Sequence, residues 1–319
     1  MSSRASSKAA PWSMACCGLL ILAPIVVVAV GFFVLSRPEV PKCESVAAAR
    51  GDLFLARRGF VTRFSMVSYN EPLTEAPEGF RRVQYRSGNL ELSAYVNEFE
   101  PGVDPVPGII WLSGGMSNSV GLTPWVPSTP ENDQSASAFW EAGMAVMYPV
   151  LRGGEGSDVF REGFFGEVDD VIAAAEMFRE LPHVDSERLY LAGHSTGGTL
   201  ALLVAAARSD LFAGVYSYGP VADVGSYGSP WDELDICERE LRSPKWFLSS
   251  INAPTEITEG EFGNEDELMV FFRNKSDAPI SVFEKEGADH FSHLRATTTK
   301  LARELLIDAG LEPVEPIVQ

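Results

Sequence analysis

Positive charge, cysteine and histidine are all scarce in this 319-residue chain. Lys and Arg number 25 against 44 Asp and Glu, a formal net charge of -19. Such a surface repels nucleic acid phosphate and gains nothing from anionic lipid headgroups, so no nucleic-acid partner is expected. Four cysteines make no disulfide framework. Cys16 and Cys17 open an apolar run, where packing or reversible acylation suits them, and only Cys43 and Cys237 remain to pair in the soluble part. Any imidazole chemistry must come from His183, His194, His290 or His293. There is no internal repeat, and no low-complexity tract beyond the Ser/Ala-rich head at 1–10. With 45% hydrophobic residues, the chain has enough apolar content for one or two packed domains, which excludes global disorder.

Charge is also missing from one long stretch. No charged residue occurs between Lys8 and Arg37, and 14–35 is almost wholly apolar. A helix rises about 1.5 Å per residue, so roughly 20 residues cross the hydrocarbon core of a bilayer, whereas a secretory signal needs roughly 7 to 15. The stretch is long enough to remain as a single membrane span, with the bilayer as partner. Arg4, Lys8 and the small residues at 47–49 leave a cleaved signal as the alternative. Basic residues flank both sides, so the positive-inside rule does not orient it; the expectation is an extracytoplasmic catalytic domain. The resulting division is a polar head at 1–11, an anchor at 12–36, a linker with short elements at 37–80, a globular domain at 81–312 and a tail at 313–319.

Around Ser87-Gly88-Asn89, apolar and polar residues alternate as in a β-hairpin. Short apolar runs follow at 108–112, 145–150, 188–192, 214–218, 254–258 and 280–284, separated by helical patterns such as Val168, Val171, Ile172, Ala175 and Phe178. Uninterrupted runs suit strands buried on both faces. The fold class expected is therefore α/β, a mostly parallel doubly wound sheet with its chemistry at the carboxyl ends of the strands.

At 188–198 a strand pattern passes into a helix pattern through Gly193-His194-Ser195-Thr196-Gly197-Gly198. A serine at so tight a turn is exposed and strained, flanking glycines avoid Cβ collisions, and the helix amides that follow face developing negative charge. The run 185–198 resembles the nucleophile segment of prolyl-oligopeptidase-like α/β-hydrolases, which include dipeptidyl and acylaminoacyl peptidases. Ile110-Trp111-Leu112-Ser113-Gly114-Gly115 is similar to that family's His-Gly-Gly loop, and 148–156 to its Pro-x-x-Arg-Gly-x-Gly loop. Ser113 replaces the loop's usual histidine, and no β-propeller precedes the hydrolase region in this sequence. The resemblance covers about 82–310 and implies a serine hydrolase acting on an ester or a peptide bond, with no cofactor and no metal.

On this reading Ser195 is the nucleophile and His290, after the last strand, the base, with His293 its rival. A metal site at His290 and His293 lacks further ligands of suitable spacing. The orienting acid is expected after the strand at 254–258. Glu261 leads, with Asp266 and Asp223 in reserve, while Asn264 and Glu267 suit a helix cap and its reciprocal partner. Oxyanion donors are expected at the Thr196 amide and at Gly115, within a choice of Gly114, Gly115 or Met116. Arg152 suits either a substrate carboxylate or an internal ion pair with Glu155 or Asp158. The segment near 224–248, with Trp231 and Trp246 among several acids, is expected to form a small helical lid. The alternative function is a catalytically silent, membrane-tethered binding module that kept the fold and lost its acid.

Overall fold

The computed structural model describes residues 43–68, 71–126, 128–275 and 277–314. The head at 1–11 and the proposed anchor at 12–36 lie outside them. Among the described residues, no helix is long and apolar enough to cross a membrane.

Eight strands form one sheet in the order β1-β2-β4-β3-β5-β6-β7-β8. β1 (Phe80–Ser87) and β2 (Leu90–Asn97) make the expected hairpin, turning at Gly88 with φ +57°. β2 joins β4 (Ala145–Pro149) antiparallel. From there β3 (Val106–Leu112), β5 (Val184–His194), β6 (Gly214–Tyr218), β7 (Thr255–Gly260) and β8 (Ile280–Lys285) continue in parallel. Each interior strand alternates between two cores because successive side chains leave opposite faces. Ile110, Leu112, Met147 and Leu191 enter one core, and Ile109, Trp111, Tyr148 and Ala192 the other.

Helices cover both faces. The first core takes residues from α1 (Cys43–Ala48), α2 (Leu53–Arg57), α4 (Gly166–Phe178), α5 (Thr196–Arg208), α6 (Ile236–Glu240) and α7 (Glu265–Asn274). The second takes α3 (Ser137–Glu141) and α8 (Leu294–Asp308). Small side chains at Ala201, Ala205 and Ala206 let α5 lie close on the sheet, and all three are buried.

Three regions differ from the sequence expectation. Residues 43–57, within the stretch expected to hold a linker and short elements before the domain, form two short helices built into the domain: Val46, Leu53 and Ala56 are buried in the first core. The lid region is short helical turns clamped by charge. Arg242 pairs with Glu238 and Arg50 with Glu240, so those acids are neutralised within the domain. Trp231 is buried against Phe64 and Phe164. The third difference is the end of β7. Glu259 and Gly260 still pair with Glu284 and Lys285 of β8, so the strand runs two residues past Thr258.

Candidate active site

Ser195 stands alone between β5 and α5, with φ 56° and ψ -119°. An L-residue adopts that backbone only under constraint. The constraint comes from both sides. The Ser195 amide donates to the Tyr218 carbonyl at 2.7 Å, and the Ser195 carbonyl accepts from the Thr199 amide at 3.0 Å. The neighbouring glycines permit the approach: a Cβ on Gly197 would lie 2.0 Å from the Leu112 carbonyl oxygen, and one on Gly193 would lie 2.4 Å from that of Gly197.

The loop after β3 lies against this turn. A Cβ on Gly114 would stand 3.2 Å from the Cβ of Ser195. Thr196 Oγ1 donates to the Gly115 carbonyl at 2.5 Å, tying that loop to the head of α5. Gly115 has φ +97°, a conformation glycine adopts without strain. First-turn helix amides have no partner within the helix, so the Thr196 amide is free to meet an oxyanion.

His290, between β8 and α8, reaches the same place. Its ring abuts Gly219, where a Cβ would lie 2.4 Å from His290 Cε1, and Gly219 directly follows the residue that holds the Ser195 amide. Its Nδ1 faces Glu259 Oε2 at 2.8 Å. Glu259 is buried, with a side chain only 1% exposed. It also accepts from the amides of Gly260 at 2.7 Å and Asn264 at 3.1 Å. Burial opposes its charge, yet the hydrogen bonds from His290 and the Gly260 amide, with His293 close by, hold its carboxyl well below the usual carboxylate range.

The carboxylate that faces His290 is therefore none of the three named from sequence. Glu261 accepts from the Gly287 amide at 2.7 Å and stabilises the loop before His290. Asp266 is exposed in the first turn of α7. Asp223 is bound by Arg239 and Lys245, both at 2.6 Å. Burial pushes the Asp223 carboxyl up, and these two partners pull it down to about 2. The expected cap is also absent. Asn264 caps α7 without a side-chain hydrogen bond, and Glu267 instead accepts from the Ala222 amide and the Ser226 hydroxyl.

The other histidines sort by surroundings. His293 is buried at the head of α8, with Nε2 3.6 Å from the second oxygen of Glu259. His290 and His293 thus address one carboxylate, and among the described residues no group of three His, Cys, Asp or Glu is arranged to hold a metal. His194 is buried, and its Nε2 meets the His290 carbonyl at 3.1 Å. Burial, with His290 beside it, pushes His194 down to about 3, so it is neutral and donates from Nε2. His183 stacks on Phe99, away from the turn. Arg152 is held by Asp170 through two hydrogen bonds of 2.8 and 2.9 Å, and by Glu162 at 2.9 Å, not by Glu155 or Asp158. Its charge is used internally.

A cleft opens beside the turn, lined by Ser113, Gly114, Gly115, Thr196 and Gly197 at one end. Met66, Phe164, Leu200 and Trp231 form apolar walls. A hydroxyl, an imidazole backed by a buried carboxylate, and two amide-bearing turns around an apolar cleft are the parts needed for acyl transfer.

Comparisons with known proteins bear on the fold and its relatives. A model of the prolyl oligopeptidase family matches residues 130–246, the span that contains Ser195. A protein of Bacillus subtilis (strain 168), described as the uncharacterized peptidase YtmA, is 29% identical over 193 residues, which is 56% of this chain and 70% of that protein. Among solved structures, an acylaminoacyl peptidase of Pyrococcus horikoshii superposes with a TM-score of 0.53 at 18% identity. The match covers 72% of this chain and 40% of that one. An esterase of Pyrobaculum calidifontis superposes with a TM-score of 0.52 at 16% identity, over 75% of this chain and 88% of its own. The chain thus spans well under half the length of the acylaminoacyl peptidase and most of the esterase.

Proposed function

We propose that this chain is a serine hydrolase similar to the prolyl-oligopeptidase-like α/β-hydrolases, in which Ser195, His290 and Glu259 form the catalytic triad, acting on a small ester or peptide substrate. Ser195 Oγ attacks the substrate carbonyl carbon as His290 Nε2 takes its proton. Glu259 Oε2 accepts from Nδ1–H and stabilises the imidazolium that forms. The amides of Thr196 and Gly115 receive the oxyanion. The leaving group departs with the proton from His290, and water, deprotonated by the same imidazole, releases the acyl group from Ser195.

The observation that carries this reading is the 2.8 Å contact of His290 Nδ1 with a buried glutamate whose carboxyl is held in its charged form. A silent binding module would have no use for that pairing. Labelling with a fluorophosphonate probe tests the reading: the wild type is modified at Ser195 and Ser195→Ala is not. An unlabelled wild type contradicts it. Ester and peptide chemistry share these parts, and the fold likeness extends to both peptidase and esterase; a matched panel of p-nitrophenyl esters and aminoacyl anilides separates them.

We also propose that residues 12–36 anchor the catalytic domain to a membrane from the extracytoplasmic side. The uncharged stretch at 14–35 supports the anchor. Cys237 is disulfide-bonded, which supports an oxidising compartment. Fractionation of the full chain against a form lacking 1–36 tests it: the full chain sediments with membranes and the shortened form does not.

A further inference from the structure

One carboxylate beside the proposed triad has an oxygen without a partner. Glu167, in the first turn of α4, is only 2% exposed and lines the cleft that runs past Gly115 and Thr196. Its Oε1 accepts three hydrogen bonds, from Asn118 Nδ2 at 3.0 Å, the Glu162 amide at 2.8 Å and the Gly163 amide at 3.0 Å. Those bonds suffice to fasten the loops after β3 and before α4. Its Oε2 is buried with no hydrogen-bond partner among the described residues. A buried carboxylate oxygen left bare is costly and calls for an explanation outside the loop-holding role.

The rest of the cleft narrows what would complete it. Phe164 and Trp231, 5.1 Å apart, form an aromatic wall, and Met66, Leu112 and Leu200 add apolar surface. Among the described residues, no Lys or Arg lines the cleft. Arg152 lies close by but is held by Asp170 and Glu162. A group entering past Gly115 and Thr196 meets apolar and aromatic surface, and among the described residues Glu167 is the ionisable one of the lining. Burial and the nearby Asp170 raise the Glu167 pKa, and a cation beside the carboxylate acts in the opposite direction.

We propose that this cleft is a specificity pocket for a substrate side group with an apolar stem and a cationic N–H tip, an amine or guanidinium, which Glu167 Oε2 accepts. The stem lies along Phe164 and Trp231, whose rings also favour a cation. This rests on the reading of Ser195 as the nucleophile, because Thr196 and Gly115, the oxyanion donors of that reading, line the cleft.

The test compares side groups of equal length with and without the charged tip, using lysine and norleucine derivatives. In the wild type, kcat/KM for an N-acetyl-lysine ester exceeds that for the norleucine ester by at least about tenfold. In Glu167→Gln the three donors hold the amide oxygen at the Oε1 position, so a second N–H replaces the acceptor. The lysine-to-norleucine ratio then falls about 100-fold. A merely structural Glu167 would lower both rates and leave the ratio unchanged, which overturns the proposal. Should Glu167→Gln fail to fold, binding to Ser195→Ala decides: N-acetyl-lysine amide binds at least tenfold tighter than the norleucine amide, and equal or reversed affinities overturn the proposal. Failure of the nucleophile reading shows separately, as a wild type that no fluorophosphonate labels.

Discussion

His290 Nδ1 and Glu259 Oε2 lie 2.8 Å apart across a separation of 31 residues, joining the end of β7 to the loop after β8. The parallel pairing of those strands brings the two residues together, and the glycines at 219, 260 and 263 leave room for them. A Cβ on Gly260 would lie 2.3 Å from the Asp289 carbonyl oxygen, and one on Gly263 would lie 2.4 Å from Glu259 itself.

The charged state of Glu259 predicts an acid dependence of stability. Its folded pKa is depressed below the ordinary value of about 4.3, so above that pH its full stabilisation is present, and it is lost as pH falls through the folded pKa. Glu259→Gln should therefore be destabilised by a constant amount from pH 8 to about 5, and the deficit should shrink below about pH 4. Urea melts across that range check this; a deficit that grows on acidification contradicts it.

His194 Nε2 meets the carbonyl of His290, so under the proposed triad it holds the backbone of the base. His194→Ala removes the donor to that carbonyl and should lower kcat about 10- to 100-fold with little change in KM, while His194→Gln keeps a donor and recovers part of the loss. Its folded pKa of about 3 lies below the unfolded value of about 6.5, so the wild type loses stability as pH falls through that interval. The His194→Gln protein lacks this component. Steady-state kinetics with melts at pH 8 and pH 5 tests both statements.

Two glycines should respond very differently to alanine. Gly197→Ala places a methyl 2.0 Å from the Leu112 carbonyl and should cost about 2–4 kcal/mol with loss of activity. Gly115 has open space around its missing Cβ, so Gly115→Ala carries only the backbone strain of φ +97°, about 1 kcal/mol. Thermal melts of the two proteins rank them; equal destabilisation would mean the elbow tolerates a methyl that its geometry forbids.

The fold was legible because short apolar runs and helical spacing alternate from residue 106 onward, and the elbow because Ser195 carries its glycines with it. The acid was not. Apolar character fades after Ile257, so the sequence pattern ends the strand at Thr258 and points to an acid beyond it. Pairing with β8 carries the strand on to Gly260, and Glu259 sits in that extension. The Thr258-Glu259-Gly260 run does hold a signal, a glutamate followed by a glycine whose Cβ would strike the His290 loop, but only tertiary contact reveals it. The charge clamps of the lid are not legible in sequence, because Arg50 lies 190 residues from its partner Glu240.

The most direct measurement is kcat/KM on a short activated ester for Glu259→Gln and Glu261→Gln beside the wild type. The account predicts a loss of about 10³- to 10⁴-fold for Glu259→Gln, as expected for the orienting acid of a triad. Glu261→Gln should remain within about threefold of the wild type, since that carboxylate bonds a loop amide at the surface. A Glu259→Gln enzyme of near wild-type activity, or a greater loss at Glu261, would contradict it.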